Sequence, residues 1–211
     1  MTFRLASTLV LWIFCLAVPA WADFQAGMTA HDREDYATAM REWQPLAEQG
    51  DAMAQYHVGM MYHKGRGVPQ DDAQARKWYA KAAAQGHARA QFSLGTLYFN
   101  GEGGPKDYQQ ALRWFRLGAN RGDALAQTKL GIMYDDGEGV PKDKVQAYKW
   151  VSLAATNGDK SAPMLRDILA KGMTEAQITK AKKLASEWKP EGQREQENKV
   201  GAVTESVRTD R

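Results

Sequence analysis

Residues 61–71 read MYHKGRGVPQD, with Gly65 and Gly67 one residue apart beside Lys64 and Arg66. Glycines let a backbone approach an anion closely and basic side chains neutralise it, so the chemistry on offer is phosphate binding. Two further sets of residues carry possible chemistry. His57 and His63 suggest a metal, but six residues apart they fall on different sides of a helix, and no cysteine assists. Asp135, Asp136 and Glu138 form a small acidic cluster that suits a cation less well than it suits a hydrated loop. No serine or cysteine stands in a nucleophile motif and no strand precedes a glycine-rich turn, so neither a catalytic residue, a metal nor a cofactor is expected.

The phosphate reading fails on internal comparison. A step of 36 residues turns the stretch into LYFNGEGGPKD at 97–107 and MYDDGEGVPKD at 133–143. The glycines persist, but Lys64 becomes Asn100 and then Asp136, while Arg66 becomes Glu102 and then Glu138. A phosphate cradle needs its charge, whereas a turn needs only its glycines.

The same step aligns Gln55, Gln91 and Gln127; Gly59, Gly95 and Gly131; Tyr62, Tyr98 and Tyr134; Trp78, Trp114 and Trp150; and Gly86, Gly122 and Gly158. Gln55, Val58, Gly59 and Tyr62 have the three-and-four spacing of one helical face, as do Ala75, Trp78, Tyr79 and Ala82. Each unit is therefore a helix pair joined by the glycine loop. Asp71, Asp107 and Asp143, each followed three residues later by glutamine, are read as capping boxes that start the second helices. Gly86, Gly122 and Gly158 end them. Gly59, Gly95 and Gly131 inside the first helices imply a close crossing, expected against the tryptophans.

The frame gives three repeats over 51–158, an N-terminal capping pair over 23–50 with Trp43 one position out of register, and capping helices over 159–189, the last starting at Thr174. Residues 190–211, polar and mixed in charge, are expected to be a disordered tail. Residues 1–22 have the basic, apolar and small-residue order of a signal peptide cleaved after Ala22. Cys15 follows Ile13 and Phe14, which does not suit a lipidation site. The implied location is exported, periplasmic or secreted, with 211 − 22 = 189 residues, no cysteine and a charge of 27 − 25 = +2. A near-neutral chain offers nucleic acid no basic field.

These residues resemble the Sel1-like repeat family. Its units run Ala-x-x-x-Leu-Gly-x-x-Tyr, then a Gly-x-Gly-Val-x-x-Asp loop, then Ala-x-x-Trp-x-x-x-Ala-Ala and a glycine. The resemblance implies an all-α, right-handed solenoid of antiparallel helix pairs acting as a scaffold or adaptor for a protein or peptide partner, in signalling or envelope assembly. Some exported members resemble weak β-lactam hydrolases, but those carry a disulfide in each unit, which is missing here. A glycan-binding module is the alternative, although tryptophans at core spacing make a poor sugar platform.

Function is sought at positions that vary between units, on the outer side of the first helices. The first unit offers Met53, Tyr56, His57, Met60, His63 and Lys64. The second offers Arg89, Phe92, Thr96, Phe99 and Asn100, and the third Leu125, Lys129, Ile132 and Asp136, with Thr128 at its flank. In a right-handed solenoid these would line one concave groove, with aromatic and methionine anchors at one end. The competing reading has Tyr56 and Phe92 packing between units.

Overall fold

The computed structural model describes residues 20–193, with side chains from 24 onward. Of the segment 1–22 expected as a signal peptide, residues 1–19 lie outside the described residues, as do residues 194–211 of the expected tail.

Among the described residues all regular structure is helical: α1 (Ala20–Asp32), α2 (Tyr36–Glu48), α3 (Ala52–Lys64), α4 (Asp72–Ala84), α5 (Ala88–Asn100), α6 (Tyr108–Asn120), α7 (Ala124–Asp136), α8 (Lys144–Thr156), α9 (Ala162–Lys171) and α10 (Glu175–Ser186). From α1 to α9 each helix packs on the next, and α10 folds back onto α8. The result is a helical solenoid, in which each pair buries its apolar stripes between its own two helices and against the next pair.

Local chemistry sets the boundaries. Asp71, Asp107 and Asp143 accept hydrogen bonds from the backbone N–H of Gln74, Gln110 and Gln146, so each second helix starts where expected. The expected reciprocal bond from the glutamine side chain is not part of these starts. Among the described helices the two-way capping box closes at Thr174 and Gln177, where α10 begins. Gly65, Gly101 and Gly137 end the first helices in the left-handed conformation.

The second loop glycine has a separate cause. A Cβ on Gly67, Gly103 or Gly139 would run into the carbonyl oxygen of Tyr36, Asp72 or Tyr108, the first residue of the preceding pair's second helix. The loop rests directly on the unit before it.

The helix glycines do not face the tryptophans. A Cβ on Gly59 or Gly95 would stand 2.7 Å from the ring of Tyr79 or Phe115, and one on Gly131 2.5 Å from Val151. These partners are the residues following each tryptophan. Trp43, 36 residues before Tyr79, is therefore in register with them, and it faces Gly27 in the same way. The tryptophans pack backwards instead: Trp78 joins the core of the capping pair, Trp114 leans on the cluster around Ala75 and Tyr79, and Trp150 joins that of Ala111 and Phe115.

Buried glutamines tie successive pairs. Gln55 donates to Ala47 O at 3.0 Å, Gln91 to Ala83 O at 3.1 Å and Gln127 to Ala119 O at 3.1 Å. Each adds a side-chain donor to a carbonyl in the last turn of the preceding helix, which also accepts the N–H of Gly50, Gly86 or Gly122. At the C-terminal end, residues 190–193 of the expected tail are described: Gln193 N–H bonds to Pro190 O at 3.0 Å, and Glu191 lies 3.7 Å from Arg121.

Candidate functional site

The fifteen residues expected in a groove all lie on the first helices α3, α5 and α7. Neighbouring first helices come together on one side of the solenoid. A cavity of about 120 Å³ is lined by His63 of α3, Tyr79 of α4 and Phe92, Ser93, Thr96 and Leu97 of α5. Between α5 and α7, the Lys129 ammonium sits 5.6 Å from the Phe99 ring.

Burial divides these residues into rows. Met53, Arg89 and Leu125, at equivalent positions of the three units, are exposed, and so are Lys64, Asn100 and Asp136 at the helix ends. Tyr56, His57, Met60, His63, Phe92, Thr96, Phe99, Lys129 and Ile132 are half-buried. Thr128 is buried, its hydroxyl donating to the carboxylate of Asp159, so it is a joint between units rather than a groove residue.

The aromatics expected as anchors are committed to packing. Tyr56 stacks on His87 at 4.8 Å and lies 5.7 Å from Tyr79. Phe92 lies 5.9 Å from Phe115, and Phe99 meets Tyr108 edge-on at 5.2 Å. His57 belongs to the joint with the capping pair: its ring lies 4.4 Å from Trp43 and 5.5 Å from Phe24. Burial, with smaller contributions from His31 and His87, pulls its pKa from 6.5 down to about 4, so the ring is neutral near pH 7. Large residues at these positions of a first helix lean onto the second helix of the same unit, as Phe92 and Phe99 do on Phe115 and Tyr108, or onto the neighbouring helix start, as Tyr56 does on His87.

What remains accessible is a face with a fixed frame and a variable outer row. Met53 is 51% exposed and Leu125 49%, and the other large exposed apolar side chains of the described residues, Met164 and Ile168, are on α9.

The Sel1 repeat family profile matches three consecutive segments, 52–87, 88–123 and 124–159. The chain is a member of the Sel1 repeat family. It is similar to a Sel1 repeat protein of known structure from Oxalobacter formigenes, with 32% identity over 81% of this chain and 74% of that one and a TM-score of 0.66. It is also similar to c5321, a protective antigen of uropathogenic Escherichia coli strains with an SLR fold, at 30% identity and a TM-score of 0.57, over 80% of this chain but 45% of that one. No curated protein matches. The matched segments run one residue later than the frame 51–158 read from the sequence.

Membership accounts for the conserved geometry of the Sel1 frame within this chain: the capping aspartates, the two loop glycines and the glycine crossings. Trp78 and Trp150 are buried and Trp114 half-buried, with Lys81, Arg113 and Lys149 lying over the three rings in turn. Among the described residues no helix is long and apolar enough to cross a membrane.

One feature was invisible to motif reading. His63 Nδ1 lies 2.7 Å from Asp72 Oδ1, and Glu102 of the next loop comes to the same place. No sequence spacing pairs residues nine and thirty apart; only the stacking of one loop on the preceding helix start does.

Proposed function

We propose that this Sel1 repeat chain is a non-catalytic scaffold, exported to the cell envelope, that holds an extended protein or peptide segment across α3, α5 and α7. The observation that carries this reading is the row Met53, Arg89 and Leu125. It puts two exposed apolar side chains either side of a guanidinium at equivalent positions of three stacked units. A repeat fold needs no apolar residue there, and two such side chains flanking a cation at a repeating position suit a partner better than solvent. The row suits a segment with apolar side chains flanking an acidic or carbonyl-rich centre. Lys64, Asn100 and Asp136 at the rim would set its register. A sugar platform gains no support, because two of the three tryptophans are buried.

The test is capture from envelope extract by wild type and by Met53→Ser/Arg89→Glu/Leu125→Ser, with Lys77→Ser/Arg113→Ser, at exposed positions of the second helices α4 and α6, as a control. A protein retained by wild type and the control and lost by the triple variant is the expected result. Equal retention by all three, or recovery of glycan alone, overturns the proposal.

A further inference from the structure

We propose that His63, Asp72 and Glu102 bind a divalent transition-metal ion of the zinc type. One ligand atom from each of the three lies within 4.8 Å of those of the other two, and all three residues are half-buried. His63 ends α3, Asp72 opens α4 and Glu102 comes from the loop after α5, so the set spans two repeat units. The loop is held firmly, because Gly103 lies against the Asp72 carbonyl, and Asn100 donates to one Glu102 oxygen at 2.9 Å. That orients the carboxylate and leaves its other oxygen available, as a supporting hydrogen bond does around a metal ligand.

Comparison between units argues that stacking does not require these donors. One unit on, the same three positions hold Phe99, Tyr108 and Glu138, and the contact is the edge-on Phe99–Tyr108 pair. One unit back, the helix-start and loop positions hold Tyr36 and Arg66, with the guanidinium 4.9 Å over the ring. In the last unit Lys144 donates instead to Gly172 O at 2.8 Å. The same joint is built from rings, from a cation on a ring and from a backbone hydrogen bond, and in one unit alone from an imidazole and two carboxylates.

That donor set has a definite preference. An imidazole favours zinc-like ions over magnesium or calcium, and three protein ligands leave a fourth tetrahedral position for water. The His63 face of the 120 Å³ cavity supplies space beside the site. Binding takes the place of the His63 Nδ1–Asp72 hydrogen bond, and metal–ligand bonds of about 2.0–2.2 Å require the three side chains to close in by rotamer adjustment.

The experiment is calorimetric titration of the untagged full chain with Zn²⁺, alongside visible absorption with Co²⁺ as a spectroscopic substitute. One equivalent of Zn²⁺ should bind, excess Mg²⁺ should not displace it, and Co²⁺ should give the absorption of a tetrahedral site. Glu102→Gln should weaken binding by roughly tenfold or more. His63→Phe/Asp72→Tyr, which copies the next unit's aromatic pair, should abolish it while circular dichroism stays helical. Should that double variant lose its helicity, Glu102→Gln decides the matter alone. Absence of binding to wild type at millimolar Zn²⁺, or undiminished affinity in Glu102→Gln, overturns the site.

Discussion

His87 stands where the neighbouring units have Asp51, Asp123 and Asp159, and its unprotonated Nδ1 accepts the Ala90 N–H at 3.1 Å to cap α5. Burial lowers its pKa, as it lowers that of His57 to about 4, against contributions from Asp51 that raise both and, for His87, from Asp123, while Arg89 adds to the lowering. Unfolded, both rings titrate near 6.5, so between that value and about 4 the unfolded chain binds more protons than the folded one. Stability is therefore complete above pH 6.5 and falls as pH drops toward 4. Urea unfolding at pH 5 should show a loss of about 2 kcal/mol relative to pH 7, most of it removed by His57→Phe, which suits the surrounding Phe24, Trp43 and Tyr56. A second residue-scale prediction concerns Gln91. Gln55 and Gln127 each accept a hydrogen bond at Oε1, from Gln85 at 2.8 Å and Asn157 at 2.9 Å, but the equivalent residue beside Gln91 is Arg121, which points to Gly86 O. Gln91 Oε1 is left buried without a partner. Arg121→Asn should supply the missing donor and raise stability by about 1 kcal/mol in urea unfolding, because the exposed Arg121–Glu191 contact it gives up is worth less.

At the scale of the helix pair, the crossing glycines set how closely the two helices approach. Gly95→Ala should destabilise by about 2 kcal/mol, since its methyl group would meet the Phe115 ring in the middle of the core. The double variant with Phe115→Leu should lose less than the sum of the single changes, a coupling that thermal unfolding of the four-member cycle would measure. The helix pairs, their caps and their period were legible in the sequence, because backbone requirements such as the left-handed Gly65 or the capping Asp71 leave residue-specific marks in every copy. The partner of the crossing was not: tryptophan and the residue after it are adjacent in sequence and differ by about a third of a helical turn. Tyr79, Phe115 and Val151 share no residue type, so nothing in their identities marks the position. Variability between units picks out the outer positions of the first helices, but it does not separate those free to meet a partner from those that Tyr56, Phe92 and Thr128 use for packing within the solenoid.

At the scale of the whole molecule, the terminal helices cover an otherwise open end. Trp188 lies 6.1 Å from Trp150, and α10 and α9 close over Tyr148, Val151 and Ala154 of α8. Removing everything after residue 158 should lower the melting temperature and cause self-association in size-exclusion chromatography, as expected of a solenoid deprived of its cap. The buried contacts that repeat between units point one way, while exposed ones such as Arg76 to Pro105 O and Gln109 to Gly139 O run forward. Gln55, Gln91 and Gln127 reach to the helix before them, the tryptophans lean on the cluster before them, and the second loop glycine sits on the helix start before it. The buried side chains of each unit thus close on the one before it, in the order of synthesis. Each pair leaving the ribosome finds its template already in place, while its own unfinished edge waits for chain not yet made.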